Sequence, residues 1–373
     1  MKANKSYKYA IYPNCKQKRL INSTFKYVSF MYDTMLRDKT KSLKETGKTG
    51  RQTPAQYKDR YIFLNDIDSL ALCNMQLQLE TAFKNYFDRK ASFPKERNNN
   101  IKNSYTTNHL KNNIRIENSR LIIPKVGAIK IKLHRELPED SKIKSVTISK
   151  DKANKYYASI MFEYGIIDNN DSLNKNKIIG LDYSPSKFYI DSNNDTVTFP
   201  KEIENTINRI DYENSRLSRL TYKSNNWKKQ NNKIDKLYIK LNNQRKDFLH
   251  KLANNLSDEY DVVCIENIDL QNMSKRYNFG QYIQRSSFGM FRDILKYKLE
   301  EKGKYLVVAD KYFPSSKKCS NCGYINKNLT LSDRIWECPN CHEVHQRDYN
   351  AAINIRNYAY DKVFSTVGHT VNA

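Results

Sequence analysis

The spacing of apolar residues predicts a strand and then helices at the start of the chain. Residues 1–15 have the pattern of a short strand, and residues 16–90 have apolar positions at helical spacing. In YIFLNDIDSLALCNMQLQLETAFKNYF these positions include Leu70, Leu77, Phe83 and Phe87. Pro94 and a run of asparagines then end the helical pattern.

Short β-branched runs replace the helical spacing between residues 105 and 165, and they predict hairpins. One hairpin turns around residues 117–120 in NNIRIENSRLIIPKVGAIKIKL, with Pro124 and Gly127 at a bend. A second turns at residues 151–154 in IKSVTISKDKANKYYASIMFEY. The first half is therefore predicted to be a small β domain with a helical insertion.

A polar stretch at residues 166–177 marks a predicted domain boundary, and a different order of elements follows it. KIIGLDYSPSKFYIDSNNDTVTFP contains three strands, residues 201–258 are helical, and YDVVCIENIDL is a buried strand. A helix at residues 286–302, a strand in YLVVADKYF and a helix in YNAAINIRNYAY complete the series. This order is typical of an RNase H-like sheet, so the fold class is α/β in this half.

Four cysteines near the end of the chain have the spacing of a structural zinc site. They form two C-x2-C pairs separated by fifteen residues, and they are Cys319, Cys322, Cys338 and Cys341. Four thiolates suit a closed tetrahedral Zn2+ site, with no open position for catalysis. His342 and His345 are then surplus, and we expect them at the surface or on nucleic acid. The other three cysteines stand alone, which fits a reducing cytoplasm.

Three carboxylates fall at the ends or starts of predicted elements in the second half. Asp182 ends the first strand, Glu266 ends the VVCIE strand, and Asp348 begins the last helix. Acids that directly follow buried strands meet at the carboxyl edge of a sheet. Three clustered carboxylates repel one another unless cations lie between them. Two Mg2+ ions, for which Mn2+ can substitute, would suit these hard oxygen ligands and phosphodiester hydrolysis.

Each acid also has a simpler interpretation. Asp182 precedes Ser184 and Pro185 and could be a turn residue, while Glu266 could cap a loop. Asp348 could be the N-cap of its helix. The order and placement of all three together favour the metal-binding interpretation.

The charge of the chain indicates a polyanionic partner. Lysine and arginine number 65 against 40 acids, which gives a net charge of +25 and a pI near 9.5. Nucleic acid would relieve the resulting self-repulsion through phosphate contacts; the alternative is a bias toward lysine and asparagine in the genome. The sequence has no 18-residue apolar run and no signal-peptide core, so we expect no membrane partner and a cytoplasmic, nucleoid-associated protein.

Basic residues interleaved with aromatic ones suit contacts to nucleic-acid backbones and bases. Three segments have this mixture: FKYVSFMYDTMLRDKTK, RLSRLTYKSNNWKKQNNKIDKLYIK and SKRYNFGQYIQRSSF. The candidate nucleic-acid-binding residues in them are Lys26, Tyr27, Arg37, Lys39, Arg216, Arg219, Tyr222, Lys228, Lys275, Arg276, Tyr277 and Arg285.

At these motifs the chain resembles the TnpB family, the RNA-guided nucleases of bacterial insertion sequences that are related to type V CRISPR effectors. The resemblance covers most of the chain and is strongest in PSSKKCSNCGYINKNLTLSDRIWECPNCHEVHQRDYNAAINI. NQRKDFLHKLANNL, CIENIDLQNM, IPKVGAIKIKLHRELP and KYYASIMFEY also match. Three positions differ from the usual family pattern: GLDYSP lacks the glycine two residues after the acid, and His342 and Gln346 replace a glycine and an acid.

The resemblance implies specific roles. Asp182, Glu266 and Asp348 would form the nuclease triad with Mg2+, and the four cysteines would hold one structural zinc. Arg334 matches a family position near the active site, where it would either contact the scissile phosphate or brace the knuckle. The partners would be a guide RNA from the element's own end and double-stranded target DNA beside a short motif. One site would cut both strands in turn, and we expect a monomer.

The resemblance also implies a division into named domains. A β-barrel-like wedge domain would comprise residues 1–15 and 100–167, with a helical recognition domain at 16–99 and a linker at 168–177. A RuvC-like nuclease domain would comprise residues 178–314 and 346–361. A zinc ribbon at 315–345 would be inserted into it, and residues 362–373 would be a tail.

Three other functions are compatible with parts of these patterns. An RNA-guided DNA binder that represses without cleavage would lack acids of the triad, and here all three are present. An unguided transposase would share the triad and the zinc. A junction resolvase would leave the basic first half unexplained.

Overall fold

In a computed structural model of the protein, the antiparallel hairpins predicted for the first half belong to one seven-stranded sheet. The structure describes residues 2–97, 103–138, 140–165, 173–184, 187–267, 287–330 and 332–365. The chain divides into two units, Met1–Ile166 and Ile167–Ala373. None of the helices in these described ranges is long and apolar enough to cross a membrane.

The sheet of the first unit has the strand order β2-β6-β7-β1-β5-β4-β3, with antiparallel pairing throughout. Burial alternates along β7 between buried and half-buried positions, which is the period of two expected for a strand with one face on the core. Both predicted hairpins are present. The strands are β1 (Lys2–Tyr12), β2 (Ser104–Asn108), β3 (Arg115–Glu117), β4 (Arg120–Ile123), β5 (Gly127–Lys132), β6 (Lys142–Lys150) and β7 (Tyr156–Gly165).

In the described residues between β1 and β2 there are three α-helices, α1 (Cys15–Thr46), α2 (Pro54–Arg60) and α3 (Ser69–Phe87), and a short 3-10 helix (Ile62–Asp66). Asn14 and Gln17 form a capping box at the start of α1, and Gly47 ends that helix with a φ of 70°. The predicted helical region 16–90 is thus interrupted twice.

The face that α3 buries differs from the one that the apolar spacing suggested. Leu77 and Phe87 are each 53% exposed, whereas Leu72, Leu79 and Phe83 are buried. The segment has apolar residues around most of its circumference, so spacing alone fits two stripes. The core of the unit selects between them.

The second unit contains a five-stranded sheet with the order β10-β9-β8-β11-β12. β8 (Ile178–Tyr183), β11 (Val262–Ile265) and β12 (Tyr305–Val308) pair in parallel, and β9 (Tyr189–Asp191) and β10 (Thr196–Val197) pair antiparallel. Every residue of β8 and β11 is buried, as expected for parallel strands covered on both faces. The order of elements matches the predicted one.

Four helices accompany this sheet in the described residues: α4 (Lys201–Leu217), α5 (Asn225–Glu259), α6 (Phe288–Glu300) and α7 (Arg347–Tyr360). The single helical stretch predicted at 201–258 is a hairpin of α4 and α5. Ser224 starts α5 by accepting a hydrogen bond from the Trp227 amide at 3.1 Å. A two-stranded hairpin, β13 (Ile335–Glu337) and β14 (Val344–Gln346), lies between β12 and α7.

Helix α7 packs directly on β8 because Gly180 has no side chain. A methyl group at this position would overlap the carbonyl oxygen of Ala352 and the backbone nitrogen of Arg356, and would lie 3.0 Å from Arg356 Cα. Backbone atoms of a helix cannot move aside singly, so the glycine sets the distance between the strand and the helix.

We expect Gly180→Ala to lower the free energy of unfolding of the second unit by about 3 kcal/mol, the upper end for overpacking. The matched control is Gly289→Ala in α6, where an added methyl meets nothing within 4 Å and alanine is the better helix former. Urea unfolding of both variants measures the difference. Equal stability of the two variants would contradict the close approach.

Candidate metal centres

The register of two parallel strands brings Asp182 and Glu266 to one edge of the sheet. The pairing of β8 with β11 runs to Leu181 opposite Ile265, and each acid is the next residue along its strand. Asp182 is buried within β8, so its interpretation as a turn residue is wrong.

Asp348 reaches the same place from the start of α7. The N-cap of this helix is Gln346, whose side chain accepts a hydrogen bond from the Tyr349 amide at 2.9 Å. Asp348 is therefore not the cap, and it lies in the first turn of the helix. α7 rests on β8, which places that first turn near the strand edge.

The pKa shifts of Asp182 and Glu266 indicate that the three carboxylates lie close enough to interact electrostatically. Burial raises the pKa of Asp182 well above its usual value, and the charges of Glu266 and Asp348 raise it further. Burial also raises the pKa of Glu266, against a lowering by the Ser315 hydroxyl. Two groups that resist ionisation beside a third carboxylate form a site that a divalent cation would stabilise.

We expect Asp182→Asn to raise the Tm of the protein at pH 8 in Mg2+-free buffer that contains stoichiometric zinc. The folded protein holds the Asp182 proton more tightly than the unfolded chain, because its pKa is raised. The free energy of unfolding of the wild type therefore falls as the pH rises from 3.8 to the raised pKa, and it stays low above that. Each kcal/mol of unfolding free energy that the Asp182→Asn substitution restores should raise the Tm by about 2–4 °C.

The pH dependence is the control for this prediction. The Tm difference between Asp182→Asn and the wild type should shrink as the pH is lowered from 8 toward 4. A difference that does not change with pH would contradict a titrating carboxyl group at this position.

Two arginines hold Asp348 on opposite oxygens. Arg347 lies 3.1 Å from Oδ1 through Nη2, and Arg334 lies 3.4 Å from Oδ2 through Nη1. The Arg347 amide also donates to the Arg334 carbonyl at 2.8 Å. The Arg334 side chain is 67% exposed, so its guanidinium can also face an incoming phosphate.

Arg347 was not among the residues predicted from the sequence, although it directly precedes Asp348. Its charge also lowers the pKa of Asp182, so it acts on two of the three acids. The only sequence signal for its role was its position next to Asp348. Arginines beside acids are too common for that position alone to predict a functional residue.

The four cysteines converge as predicted. Their sulfur atoms all lie within 4.8 Å of one another, with Cys319 and Cys341 3.6 Å apart and Cys322 and Cys338 3.5 Å apart. Tetrahedral zinc with bonds of ~2.3 Å needs thiolates about 3.8 Å apart, so the donor set fits Zn2+.

Each C-x2-C pair lies on a tight turn with a left-handed residue, Gly323 at φ 78° and His342 at φ 61°. Burial raises the pKa of Cys319 to about 12, so metal binding there must release a proton.

His345 supports the cysteines from inside the knuckle, and the expectation that it lies at the surface or on nucleic acid is wrong. It is 7% exposed, its Nε2 is 3.0 Å from Cys319 Sγ, and its ring packs on Trp336 at 4.9 Å. Alternation along β14 turns this residue inward, and sequence spacing did not reveal the side. His342 is exposed, as expected, beside Glu337 at 2.8 Å.

The candidate nucleic-acid residues of the first unit differ in their exposure. Lys26 and Arg37 are exposed on α1, and Tyr27 is half-buried with its ring 4.7 Å from Phe63. Lys39 is buried, and its Nζ donates to the Gly50 carbonyl at 2.8 Å. Lys39 therefore braces the end of α1, and its position argues against a contact with nucleic acid.

The candidates of the second unit cluster at the turn of the α4–α5 hairpin. Arg216, Arg219, Tyr222 and Lys228 are all exposed there. Tyr222 stands edge-on to Trp227 at 5.1 Å, and Lys223 Nζ lies 5.2 Å from the Tyr222 ring. The last four candidates, Lys275, Arg276, Tyr277 and Arg285, lie outside the described residues.

The α4–α5 hairpin stays basic although one buried acid pairs with several of its basic residues. Glu213 is buried between the helices, and hydrogen bonds led by Lys233 and Gln230 lower its pKa to about 2. Arg209 and Arg216 also approach it, at 3.0 and 3.8 Å. Glu213 thus neutralises part of the positive charge of the hairpin, and basic residues at the turn such as Arg219 and Lys228 are exposed to solvent.

Comparison with solved structures shows that the fold is similar to that of Cas12f1. The solved structure of Cas12f1 in complex with an sgRNA and target DNA covers 95% of the chain with a TM-score of 0.60 at 12% identity, and 99% of that chain is covered. The model of the Cas12f1-like TNB domain matches residues 288–355, which include the cysteine knuckle and the start of α7.

Sequence comparison identifies the family within this fold. A Streptomyces pristinaespiralis protein named "Putative RNA-guided DNA endonuclease" is 28% identical over 359 residues, covering 94% of this chain and 88% of the relative. Escherichia coli InsQ, which bears the same description, is 28% identical over 79% of this chain and 75% of the relative. Models of the "Probable transposase" OrfB of IS605 and of its helix-turn-helix domain match residues 161–277 and 1–48. The chain belongs to the TnpB family of insertion-sequence proteins, as its motifs predicted.

Proposed function

We propose that the protein is an RNA-guided DNA endonuclease of a bacterial insertion sequence. It would pair an element-derived guide RNA with target DNA beside a short motif and cleave both strands in one RuvC-like site. The observation that carries this proposal is the placement of Asp182 and Glu266 at the ends of the paired parallel strands β8 and β11, with Asp348 close enough to raise the pKa of both. The names and structures of its relatives support the same activity.

Asp182, Glu266 and Asp348 would hold two Mg2+ ions. Bound there, such ions supply an activated water and neutralise the leaving oxygen of a phosphodiester. Arg347 would hold Asp348 in a fixed orientation, since its guanidinium contacts Oδ1 of that carboxylate. Arg334 would turn from Asp348 to the scissile phosphate, for which a planar guanidinium is suited.

Zn2+ on the four cysteines would be structural. The four sulfur atoms all lie within 4.8 Å of one another and would fill the four positions of tetrahedral zinc, which would leave none for substrate. The Asn350 side chain at the start of α7 donates to the Lys318 carbonyl at 2.8 Å and accepts from the Ser320 amide at 3.0 Å. The knuckle is thereby tied to the helix that carries Asp348.

The basic surfaces would hold RNA and DNA through their backbones. Positive charge and exposed aromatic rings at the α4–α5 turn suit unpaired nucleotides, because every base has a face that can stack. We assign the sheet of the first unit to a wedge domain and its helices α1–α3 to a recognition domain. The same protein would act as a monomer in the bacterial cytoplasm.

The test is to express the protein with its native flanking DNA and to sequence the RNA that copurifies. We expect one abundant RNA from the end of the element with a variable 3′ segment, and Mg2+-dependent cleavage of DNA that matches the segment. Absence of a discrete RNA, with cleavage or strand joining on DNA alone, would favour the unguided transposase.

A further inference from the structure

Ser315 lies between the carboxylate of Glu266 and helix α7. Its hydroxyl donates a hydrogen bond to Glu266 Oε1, and the residue is 5% exposed. Its carbonyl accepts from Asn354 Nδ2 at 2.8 Å, and its amide donates to the Phe313 carbonyl at 2.8 Å. With the hydroxyl, carbonyl and amide all engaged, the side chain is held in one orientation.

Asn354 connects this position to the cysteine knuckle. It is buried in α7, and the same Nδ2 also lies 2.6 Å from the Lys318 carbonyl. Asn350, one turn earlier in the helix, bonds to that carbonyl and to the Ser320 amide. Cys319 lies between these two backbone groups, so hydrogen bonds connect Glu266, through Ser315 and Asn354, to the backbone beside a cysteine of the knuckle.

The hydroxyl of Ser315 favours the form of Glu266 that binds a cation. A carboxylate can accept on four lone pairs, and the serine uses one on Oε1. The opposite oxygen is left for a metal ion, and the carboxylate plane is fixed. Hydrogen bonds of this kind to a ligating carboxylate typically affect metal affinity by about 10–100-fold.

We propose that Ser315 is a positioning residue for divalent-cation binding by Glu266 and that Asn354 holds Ser315 in place. The inference rests on the proposed function, in which Glu266 is a ligand of the nuclease metal. It adds Ser315, which precedes the first cysteine of the knuckle, as a residue that acts on the metal site through Glu266.

The test is direct titration of the zinc-loaded, full-length protein with Mn2+, with free Mn2+ followed by electron paramagnetic resonance. We expect Ser315→Ala to raise the Mn2+ Kd about 10-fold, and Ser315→Thr, which keeps the hydroxyl, to restore it. The matched control is Ser316→Ala, which removes the neighbouring hydroxyl and should leave the Kd unchanged. Zinc content and Tm are measured for each variant, because a purely structural role would change Tm without changing the Mn2+ Kd.

Asn354→Ala tests the second half of the proposal. It should weaken Mn2+ binding in the same direction, and Ser315→Ala should add little in that background, since coupled residues are not additive. Full additivity of the two substitutions would overturn the role of Asn354.

The outcomes separate this inference from the proposed function. If the wild type binds Mn2+ and cleaves DNA, while Ser315→Ala has the wild-type Kd, the inference is overturned and the function stands. If Ser315→Ala weakens Mn2+ binding but the wild type cleaves no DNA with its RNA, the inference stands and the function fails. A wild type that binds no Mn2+ overturns both.

Discussion

Replacement of Asp182 by alanine is expected to abolish DNA cleavage while the affinities for guide RNA and target DNA stay at wild-type values. Asp182 is buried at the strand edge with Glu266 and Asp348 as neighbours, so it has no surface to offer a nucleic acid. Its loss removes one of three carboxylates on which the metal ions would depend. Phosphodiester cleavage without those ions loses both the activated water and the charge neutralisation.

The measurement pairs a cleavage assay in Mg2+ with filter-binding or gel-shift titrations of RNA and of target DNA. Asp293→Ala is the matched control, because Asp293 is an exposed acid on α6, and this variant should cleave like the wild type. Cleavage that persists in Asp182→Ala would remove the triad assignment. Loss of RNA binding in that variant would mean that the substitution disturbs the fold.

Replacement of Cys338 by serine is expected to lower zinc content from about one ion per chain to near zero and to reduce both stability and cleavage. Cys338 is buried, with its sulfur 3.5 Å from that of Cys322. Structural zinc sites contribute apparent binding free energies of about 10–16 kcal/mol, and that energy is folding energy. The segment that loses it includes the contacts between the knuckle and α7.

Metal analysis, limited proteolysis and a cleavage assay together measure this effect. Proteolysis should begin between residues 319 and 345, because the hairpin of β13 and β14 has a small core of its own. Cys73→Ser is the control, since Cys73 is an exposed cysteine on α3 far along the chain from the knuckle. Unchanged zinc content in Cys338→Ser would contradict the four-cysteine site.

The strands that carry the acids could be predicted because they leave a simple pattern. A strand buried on both faces is a continuous apolar run, and an acid at its end has one plausible place, the sheet edge. IIGLD and VVCIE both have this form. The cysteine spacing is equally informative, because two tight turns and a hairpin are all that four thiolates require.

The contacts around the acids could not be predicted, because they depend on pairings that cross long stretches of chain. Ser315 meets Glu266 across 49 positions, and a serine in a polar segment has no pattern that marks this partner. In the sequence Lys39 resembles any other lysine of a basic helix, but it is buried and its Nζ donates a hydrogen bond to the Gly50 carbonyl. The sequence of α3 has apolar residues on two faces of the helix, and only tertiary packing determines which of these faces is buried.

The three acids enter the chain in a fixed order, and the last of them lies near its end. A ribosome that adds ~5–20 residues per second needs roughly 10–30 s to pass from Asp182 to Asp348. For much of this interval the nascent polypeptide has its first unit and the α4–α5 turn, but its set of acids is incomplete. On the proposed function, a newly made molecule could therefore meet its RNA before it gains the capacity to cut, so the direction of synthesis itself would delay cleavage.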